Sequence, residues 1–256
     1  MLGIVAPLLS SHATKWLTVG DGRYGSDAQF LLNCGVEAVA TDLEVGLLKT
    51  AAEQGLIREF RSENAEALSM QDESFDYVLC KESFHHFPRP WHAFHEMLRV
   101  CRSGIVLVEP QDRRIHSSFV SSLGAVMKGA VRALLARSES KHHRFEESGN
   151  YVYALSRVEV EKAALAVNRR FVAFKELNIL HIPALSSYPA RRDRSPFLSF
   201  LLITKILDVL AKLGLWQPNI LACVVFKREP SAHLVQALRA DGFRYYALPA
   251  NPYIVE

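Results

Sequence analysis

Strand-like and helix-like segments alternate along the first 110 residues, and this alternation constrains the fold more than any other feature of the sequence. The apolar strand-like runs cover 15–20, 36–42, 57–63, 75–82 and 104–110. Segments with helical spacing lie between them, at 27–34, 47–54 and 91–100. Alternation of this kind is typical of a parallel sheet with helices on both faces, and right-handed crossovers make such a sheet doubly wound.

The second half of the chain continues this pattern less regularly. We expect a helix over 117–137, a polar loop over 138–150, and a helix that Ser156 opens with Glu159 as a capping box. Further strands are predicted at 171–180 and 219–228, which gives a mostly parallel α/β sheet of seven strands. Because no Pro/Gly linker divides the chain, residues 1–256 are predicted to form a single domain with a helical insertion at 183–218 before the last strand.

Charge and cysteine content exclude several classes of protein. Lys and Arg total 30 against 27 Asp and Glu, so a broad positive field for nucleic acid is not expected. The four cysteines form no CxxC pair, which is typical of the reduced thiols of a cytoplasmic protein. The apolar start has no basic residues before it, so we expect no signal peptide. His92 and His95 are not part of a His-Glu-x-x-His motif, and no metal site is expected.

The longest apolar stretch, 197–213, is interrupted by Lys205, Asp208 and Lys212 on one helical face. A membrane-spanning helix needs about 20 apolar residues with few charges, so we expect an amphipathic helix and no integral membrane span. Three interpretations stay open for its apolar face. It packs on the core of this chain or of a second copy in a homodimer, it lines an apolar substrate pocket, or it lies on a membrane surface behind the basic cluster at 191–194.

A glycine-rich turn follows the first predicted strand and precedes a helix, with the sequence Gly20-Asp21-Gly22-Arg23-Tyr24-Gly25. Glycines at such a turn allow a tight bend and a close approach of the backbone to a ligand. Asp42 ends the second strand, 22 positions after Gly20, where a carboxylate can bind both hydroxyls of a ribose. The alternatives are a turn without a ligand and an Asp that caps a helix. At this point both NAD and S-adenosylmethionine fit.

The segments that follow distinguish these two cofactors. They are Asn64-Ala65-Glu66, Ser74-Phe75-Asp76, Phe84-His85-His86-Phe87, the run 94–100 and Gly104-Ile-Val-Leu-Val-Glu109-Pro110. In this order and spacing, residues 15–110 resemble the class I S-adenosylmethionine-dependent methyltransferases, and most closely their small-molecule group. The resemblance implies a Rossmann-like fold, S-adenosylmethionine as the cofactor, and a small molecule as the methyl acceptor.

The resemblance also implies a set of cofactor-binding residues. Gly20 and Gly22 would line the methionine half, Asp42 would hold the ribose, and Leu43 would pack on the adenine. Further members of the set are Asn64, Ala65 and Glu66 at the adenine edge, Lys81 through its backbone, and Asp21 and Gly25 in the turn. Many members carry an acid where this chain has Thr18, and our hypothesis is that Asp21 replaces it in holding the cofactor's amino group. Tyr24 stands where many members have the third glycine, which displaces that glycine to Gly25.

Candidate catalytic residues lie at the ends of the fourth and fifth strands. His85, His86 and Glu109 are each predicted either to remove a proton from the acceptor or to serve only in packing and hydrogen bonding. His116, His142 and His143 lie on segments that would cover the site. Two alternative functions stay open: an NAD(P)-dependent oxidoreductase that uses the same turn, and a cofactor-binding protein without catalysis. The sequence favours neither an apolar nor an anionic acceptor.

Overall fold

The computed structural model describes residues 2–9, 15–112, 145, 151–179, 195–213 and 217–253. The chain divides into two compact units. The first contains Met1–Pro110, Arg144–Lys175 and Leu221–Glu256, and the second contains Gln111–His143 and Glu176–Ile220. The predicted insertion at 183–218 lies inside the second unit. The prediction of a single domain stays a prediction.

In the described part of the chain, eight strands form one sheet. They are β1 (Lys15–Val19), β2 (Glu37–Asp42), β3 (Glu59–Ser62), β4 (Phe75–Lys81), β5 (Cys101–Pro110), β6 (Phe171–Leu177), β7 (Ile220–Phe226) and β8 (Arg244–Ala247). Their order is β3-β2-β1-β4-β5-β7-β6-β8. The pairs from β3 to β5 are parallel, and β8 pairs antiparallel with β6. The predicted doubly wound, mostly parallel α/β sheet is therefore confirmed, with an eighth strand that the sequence did not indicate.

Of the five predicted helices that fall in the described residues, four begin within one residue of the expected position, and two further helices were not predicted. They are α1 (Ala6–Leu9), α2 (Ser26–Asn33), α3 (Gly46–Glu53), α4 (Pro90–Val100), α5 (Arg157–Ala166), α6 (Ser195–Lys212) and α7 (Ala232–Ala240). Short 3₁₀ turns cover Leu2–Val5 and Phe84–His86. Ser156 caps α5 through the predicted reciprocal bonds with Glu159. The predicted helix at 117–137 lies outside the described residues.

The core lies between the sheet and its helices. Helix α4 contributes Ala93, Phe94, Met97 and Leu98, which recur at helical spacing and are all buried. His95 of the same helix is exposed. On the sheet, every residue of β7 is buried. A strand covered on both faces is expected to be apolar throughout, as β7 is.

All four cysteines are free, as their spacing predicts. Cys80, Cys101 and Cys223 are buried, and Cys34 is exposed. Burial raises the pKa of Cys101 to about 12 and also raises the pKa of Cys80 and of Cys223. The three buried thiols are therefore protonated and chemically inert in the folded chain.

The described part of the second unit contains α6. Leu202, Ile206 and Val209 of this helix are exposed, while Asp208 accepts a hydrogen bond from Asn178 Nδ2 at 2.9 Å. Within the described residues, no helix is both long enough and apolar enough to cross a membrane. Pairing of two copies through 197–213 stays a prediction. The basic cluster at 191–194 lies outside the described residues.

Candidate functional site

The parallel pairing of β2, β1, β4 and β5 brings the carboxyl ends of these strands to one edge of the sheet. A cavity of about 210 Å³ opens there. It is lined by Gly20, Asp21, Arg23, Ser26, Asp27, Lys81, Glu82, Ser83, His85, His86 and Pro110. In open α/β sheets, ligands bind at this edge, so the cavity is the candidate active site.

Gly20 lies directly against the turn that follows β4. A Cβ atom on Gly20 would lie 2.4 Å from Ser83 Cβ, and the residue has φ of 74°, a conformation that favours glycine. Ser83 Oγ donates a hydrogen bond to the carbonyl of Gly20 at 2.6 Å. The contact joins the ends of β1 and β4 and fixes one wall of the cavity.

Gly22 lies close to the carboxylate of Asp42. A Cβ atom on Gly22 would lie 2.7 Å from Asp42 Oδ2. Asp42 accepts a hydrogen bond from Glu44 N at 3.0 Å, and α3 begins only at Gly46 with Val45 as its N-cap. The alternative that Asp42 caps a helix is therefore excluded. Its carboxylate instead faces the backbone of the glycine turn.

Gly25 ends the turn in a left-handed conformation immediately before α2. A Cβ atom there would lie 2.9 Å from Ile57 Cγ2, so the glycine lets α2 start close to the sheet. Tyr24, the residue that displaces this glycine, also has a positive φ of 58°. The turn therefore contains two consecutive left-handed residues, and Tyr24 adopts a conformation that is uncommon for a side chain of its size.

Asp21 has a structural partner for each of its oxygens. Its Oδ1 accepts from Asp27 N at 3.1 Å, and its Oδ2 accepts from Ala28 N and from Thr18 Oγ1, both at 2.9 Å. The carboxylate thus holds the first turn of α2, where backbone N–H groups lack helical partners. Burial, and secondarily the charge of Asp27, raise the pKa of Asp21 to about 6. These bonds correct the hypothesis that Asp21 replaces the acid absent at Thr18, because its carboxylate already binds the protein.

Asp27 and Lys81 form an ion pair in the wall of the same cavity. Lys81 Nζ lies 3.2 Å from Asp27 Oδ1, and the two side chains are 14% and 5% exposed. Burial raises the pKa of Asp27, while the positive charge of Lys81 lowers it. The sequence pointed to Lys81 through its backbone, whereas the structure places its side chain in the site. Asp27 was missed, because its pairing with Lys81 depends on the alignment of α2 with β4.

The segment from Glu63 to Glu66 adjoins Asp42, since Glu63 N donates to the Asp42 carbonyl at 3.0 Å. Leu43 is 74% exposed beside it, and Ala65 is buried. Asn64 Oδ1 accepts from Glu66 N at 3.0 Å, which closes a local turn. Both carboxylate oxygens of Glu66 accept hydrogen bonds from Arg89, so Glu66 is committed to an ion pair rather than open to a ligand.

Glu109 and His85 form a buried pair at the ends of β5 and β4. Glu109 is fully buried, and its Oε2 lies 2.5 Å from His85 Nδ1. Its Oε1 accepts from the backbone N–H groups of Ser83 and Phe84, each at 3.0 Å. Because a carboxylate accepts hydrogen bonds, His85 donates through Nδ1, and in the neutral ring Nε2 is then the acceptor. Glu109 therefore cannot contact an acceptor molecule itself, and it orients the ring of His85.

The other histidines that the sequence named for the site are His86, His116, His142 and His143. His86 lines the cavity, and its ring centroid lies 3.9 Å from that of His85. His116, His142 and His143 lie outside the described residues. Among the described residues, no group of three or more His, Cys, Asp or Glu side chains is arranged to hold a metal ion.

A larger depression of about 470 Å³ lies at the other edge of the sheet, where β4 and β5 begin. It is lined by Asp72, Glu73, His95, Leu98, Arg99, Val167, Arg169 and Lys227. None of the residues that the sequence predicted for the site is among these. Arg99 and Lys227 are occupied there by ion pairs with Asp72 and Glu73. Size alone therefore does not identify the active site.

Comparison with known proteins finds a matching family and a relative that matches part of the chain. Residues 17–108 match the family described as "Methyltransferase domain". A segment of 74 residues is 36% identical to an uncharacterized protein of Mycobacterium tuberculosis, and it covers 27% of each chain. The match thus spans about a quarter of the length of that curated relative.

Two solved structures resemble most of the chain. A SAM-dependent methyltransferase from Archaeoglobus fulgidus superposes with a TM-score of 0.54 at 13% identity, covering 88% of this chain and 92% of its own. The YcgJ protein of Bacillus subtilis superposes with a TM-score of 0.55 at 20% identity, covering 90% and 98%. At these identities the superpositions show the fold.

Proposed function

We propose that this chain, whose residues 17–108 place it in the class I S-adenosylmethionine-dependent methyltransferase superfamily, transfers a methyl group from S-adenosylmethionine to a small-molecule acceptor. The family match implies S-adenosylmethionine as the cofactor. One observation carries the proposal: the backbone of Gly22 lies against the carboxylate of Asp42 at the edge where such folds bind ligands.

The residues of the cavity fit this cofactor. A cradle formed by Gly20 and Gly22 would receive its methionine half, and the half-buried carboxylate of Asp42 would accept from its ribose hydroxyls. Leu43, with Asn64 and Ala65, would border the adenine. Asp21, Asp27 and Glu82 outnumber the cations Arg23 and Lys81 around the cavity, which favours a ligand with a positive sulfonium.

The bound cofactor supplies a methyl group on a sulfonium, whose leaving group is a neutral thioether. This chain has to hold the acceptor in line and exclude water. His85 Nε2 is the group that can take a proton from a hydroxyl or amine acceptor, because Glu109 already binds Nδ1. Glu109 acts as a positioning residue, and it also ties the Phe84–His86 turn to β5.

We propose a small molecule as the methyl acceptor and specify its chemical class no further. Both an apolar and an anionic acceptor are compatible with the residues named so far, and so are oxygen, nitrogen and carbon as the methylated atom.

Calorimetry with S-adenosylmethionine, S-adenosylhomocysteine and NADH tests the cofactor. We expect the first two to bind and NADH not to bind. An Asp42→Asn variant should lose affinity for both, by about tenfold or more, because an amide cannot accept from two hydroxyls as a carboxylate does. Glu37→Gln is the matched control, since Glu37 is an exposed carboxylate at the other end of the same strand. Binding of NADH alone would establish the oxidoreductase alternative.

The proton-transfer role is tested separately, once an acceptor has been found by screening with labelled cofactor. His85→Gln should lower kcat and leave cofactor affinity nearly unchanged. Glu109→Gln should also lower kcat, because an amide can turn its NH₂ group toward Nδ1 and then no longer orients the ring of His85. A cofactor that binds without any transfer across a broad acceptor set would favour the non-catalytic alternative.

A further inference from the structure

The ion pair between Asp27 and Lys81 is the feature of the cavity that the glycine turn and Asp42 do not explain. Both side chains are largely buried, and both line the cavity. Removing two charges from water costs free energy that their attraction often fails to repay, so a buried ion pair is weak evidence for stability. A pair placed in the wall of a ligand cavity is better explained by the charges of the ligand.

Each partner keeps an unused hydrogen-bonding position. Ser26 Oγ and Lys81 Nζ both approach Oδ1 of Asp27, and no donor among the described residues contacts its Oδ2. Lys81 Nζ has two carboxylate neighbours, Asp27 at 3.2 Å and Glu82 at 3.8 Å, whereas an ammonium group has three protons to donate. The cavity therefore presents an acceptor and a donor of opposite charge side by side.

An α-amino acid group has the complementary arrangement, because its ammonium and its carboxylate are attached to one carbon atom. Asp21 is not available for this purpose, since three protein donors occupy its carboxylate. Glu82 is 40% exposed on its side chain and contacts Lys81 only at 3.8 Å. Of the acids that line the cavity, Asp27 is thus the one that combines burial, an oxygen without a donor among the described residues, and a fixed cationic neighbour.

We propose that Asp27 and Lys81 together bind the α-amino acid end of the methyl donor, with Asp27 accepting from its ammonium and Lys81 donating to its carboxylate. This assignment rests on the proposed function and deepens it. It moves the amino-group contact from Asp21 to Asp27, which follows it in the first turn of α2, and it gives the side chain of Lys81 a role in addition to its backbone. The ion pair then determines specificity, because a nucleoside thioether without the amino acid group gains nothing from it.

The test compares two ligands that share the nucleoside and the sulfur atom and differ in the second substituent on that sulfur. S-Adenosylhomocysteine carries the amino acid, and 5′-methylthioadenosine has the same nucleoside and thioether without it. Calorimetry of the wild-type chain should show tighter binding of S-adenosylhomocysteine. Asp27→Asn should weaken its binding by about tenfold to a hundredfold, the range expected for a charged hydrogen bond, and leave 5′-methylthioadenosine unaffected.

The second ligand also reports whether the variant is folded. Asp27→Asn leaves Lys81 buried without its partner, so Lys81→Gln is prepared as an independent variant with the same expected loss of selectivity. Asp241→Asn is the matched control: it removes the carboxylate of another ion pair, with Lys175 at 2.8 Å, away from the cavity. It should change neither affinity.

The outcomes distinguish a failure of the proposed function from a failure of the assignment of the ion pair. If wild-type protein binds neither ligand, the proposed function fails. If it binds both and the Asp27 and Lys81 variants keep the wild-type preference, or weaken both ligands equally, the assignment of the ion pair is overturned while the proposed function stands. Selective loss of S-adenosylhomocysteine in either folded variant supports the assignment.

Discussion

Asp21 makes the stability of this chain depend on pH in a direction opposite to that of most carboxylates. Its pKa is about 6 in the folded chain against 3.8 for an ordinary aspartate, and burial is the largest cause. Between these pH values the folded chain holds a proton that the unfolded chain has released. Raising the pH through this window therefore lowers the free energy of unfolding, by about 3 kcal/mol for a pKa difference of this size. Asp27, whose pKa is also raised, acts in the same direction.

An Asp21→Asn variant isolates this effect, because the amide does not titrate. We expect its free energy of unfolding, measured by urea denaturation from pH 4 to pH 7.5, to gain about 2 kcal/mol relative to wild type as the pH rises, because this range covers most of the window. Comparison with wild type cancels the other groups, including Glu73 and Glu96, whose lowered pKa values have the opposite effect.

The bonds around Asp21 provide a second perturbation. Thr18 donates to the carboxylate and so lowers its pKa, although less than burial raises it. Thr18→Val removes this donor and should move the upper limit of the pH window upward. Parallel pH profiles for wild type and Asp21→Asn would refute the reasoning, since the carboxyl group would then titrate alike in the folded and unfolded chains.

Three further predictions concern folding, each measured by urea denaturation. Phe94→Ala should lower the free energy of unfolding by about 3–5 kcal/mol, because the ring is fully buried against Trp91; a loss below about 1 kcal/mol would mean that the site collapses around the cavity. Ser156→Ala should cost about 0.5–2 kcal/mol through the lost cap of α5, and an unchanged value would show that the cap is not needed. Gly20→Ala should cost about 1–3 kcal/mol, because its Cβ would lie 2.4 Å from Ser83 Cβ, and a neutral result would contradict the rigidity of this contact.

Local sequence signals predicted the elements whose stability is decided locally. The capping box at Ser156 and the helical spacing within 91–100 are signals that lie within a few turns of helix. Strand β8 was not predicted, because its residues are half-buried or exposed and its structure depends on antiparallel pairing with β6. Helix α7 was missed for a similar reason, since only Leu234 and Leu238 of its side chains are buried.

In the site, too, features set by short sequence spacing were predicted, whereas contacts between distant segments were not. The glycine turn and Asp42 were found because their spacing is itself the signal of a nucleoside-binding unit. The role of Asp21 was not predictable, because its choice between ligand and protein depends on where the first N–H groups of α2 point. His85 and Glu109 were each named, but their pairing follows from the parallel register of β4 and β5.

Three cysteines are buried and one is exposed, so the reactivity of the thiols with a labelling reagent reports on local unfolding of the chain. In the native state, a maleimide reagent should attach at Cys34 alone, so a dye or spin label can be placed at the end of α2 without mutagenesis. Cys80 and Cys101 lie on the adjacent strands β4 and β5, and Cys223 lies on β7. Mass spectrometry that counts attached labels over time would therefore distinguish fraying of the periphery from separation of the central strands.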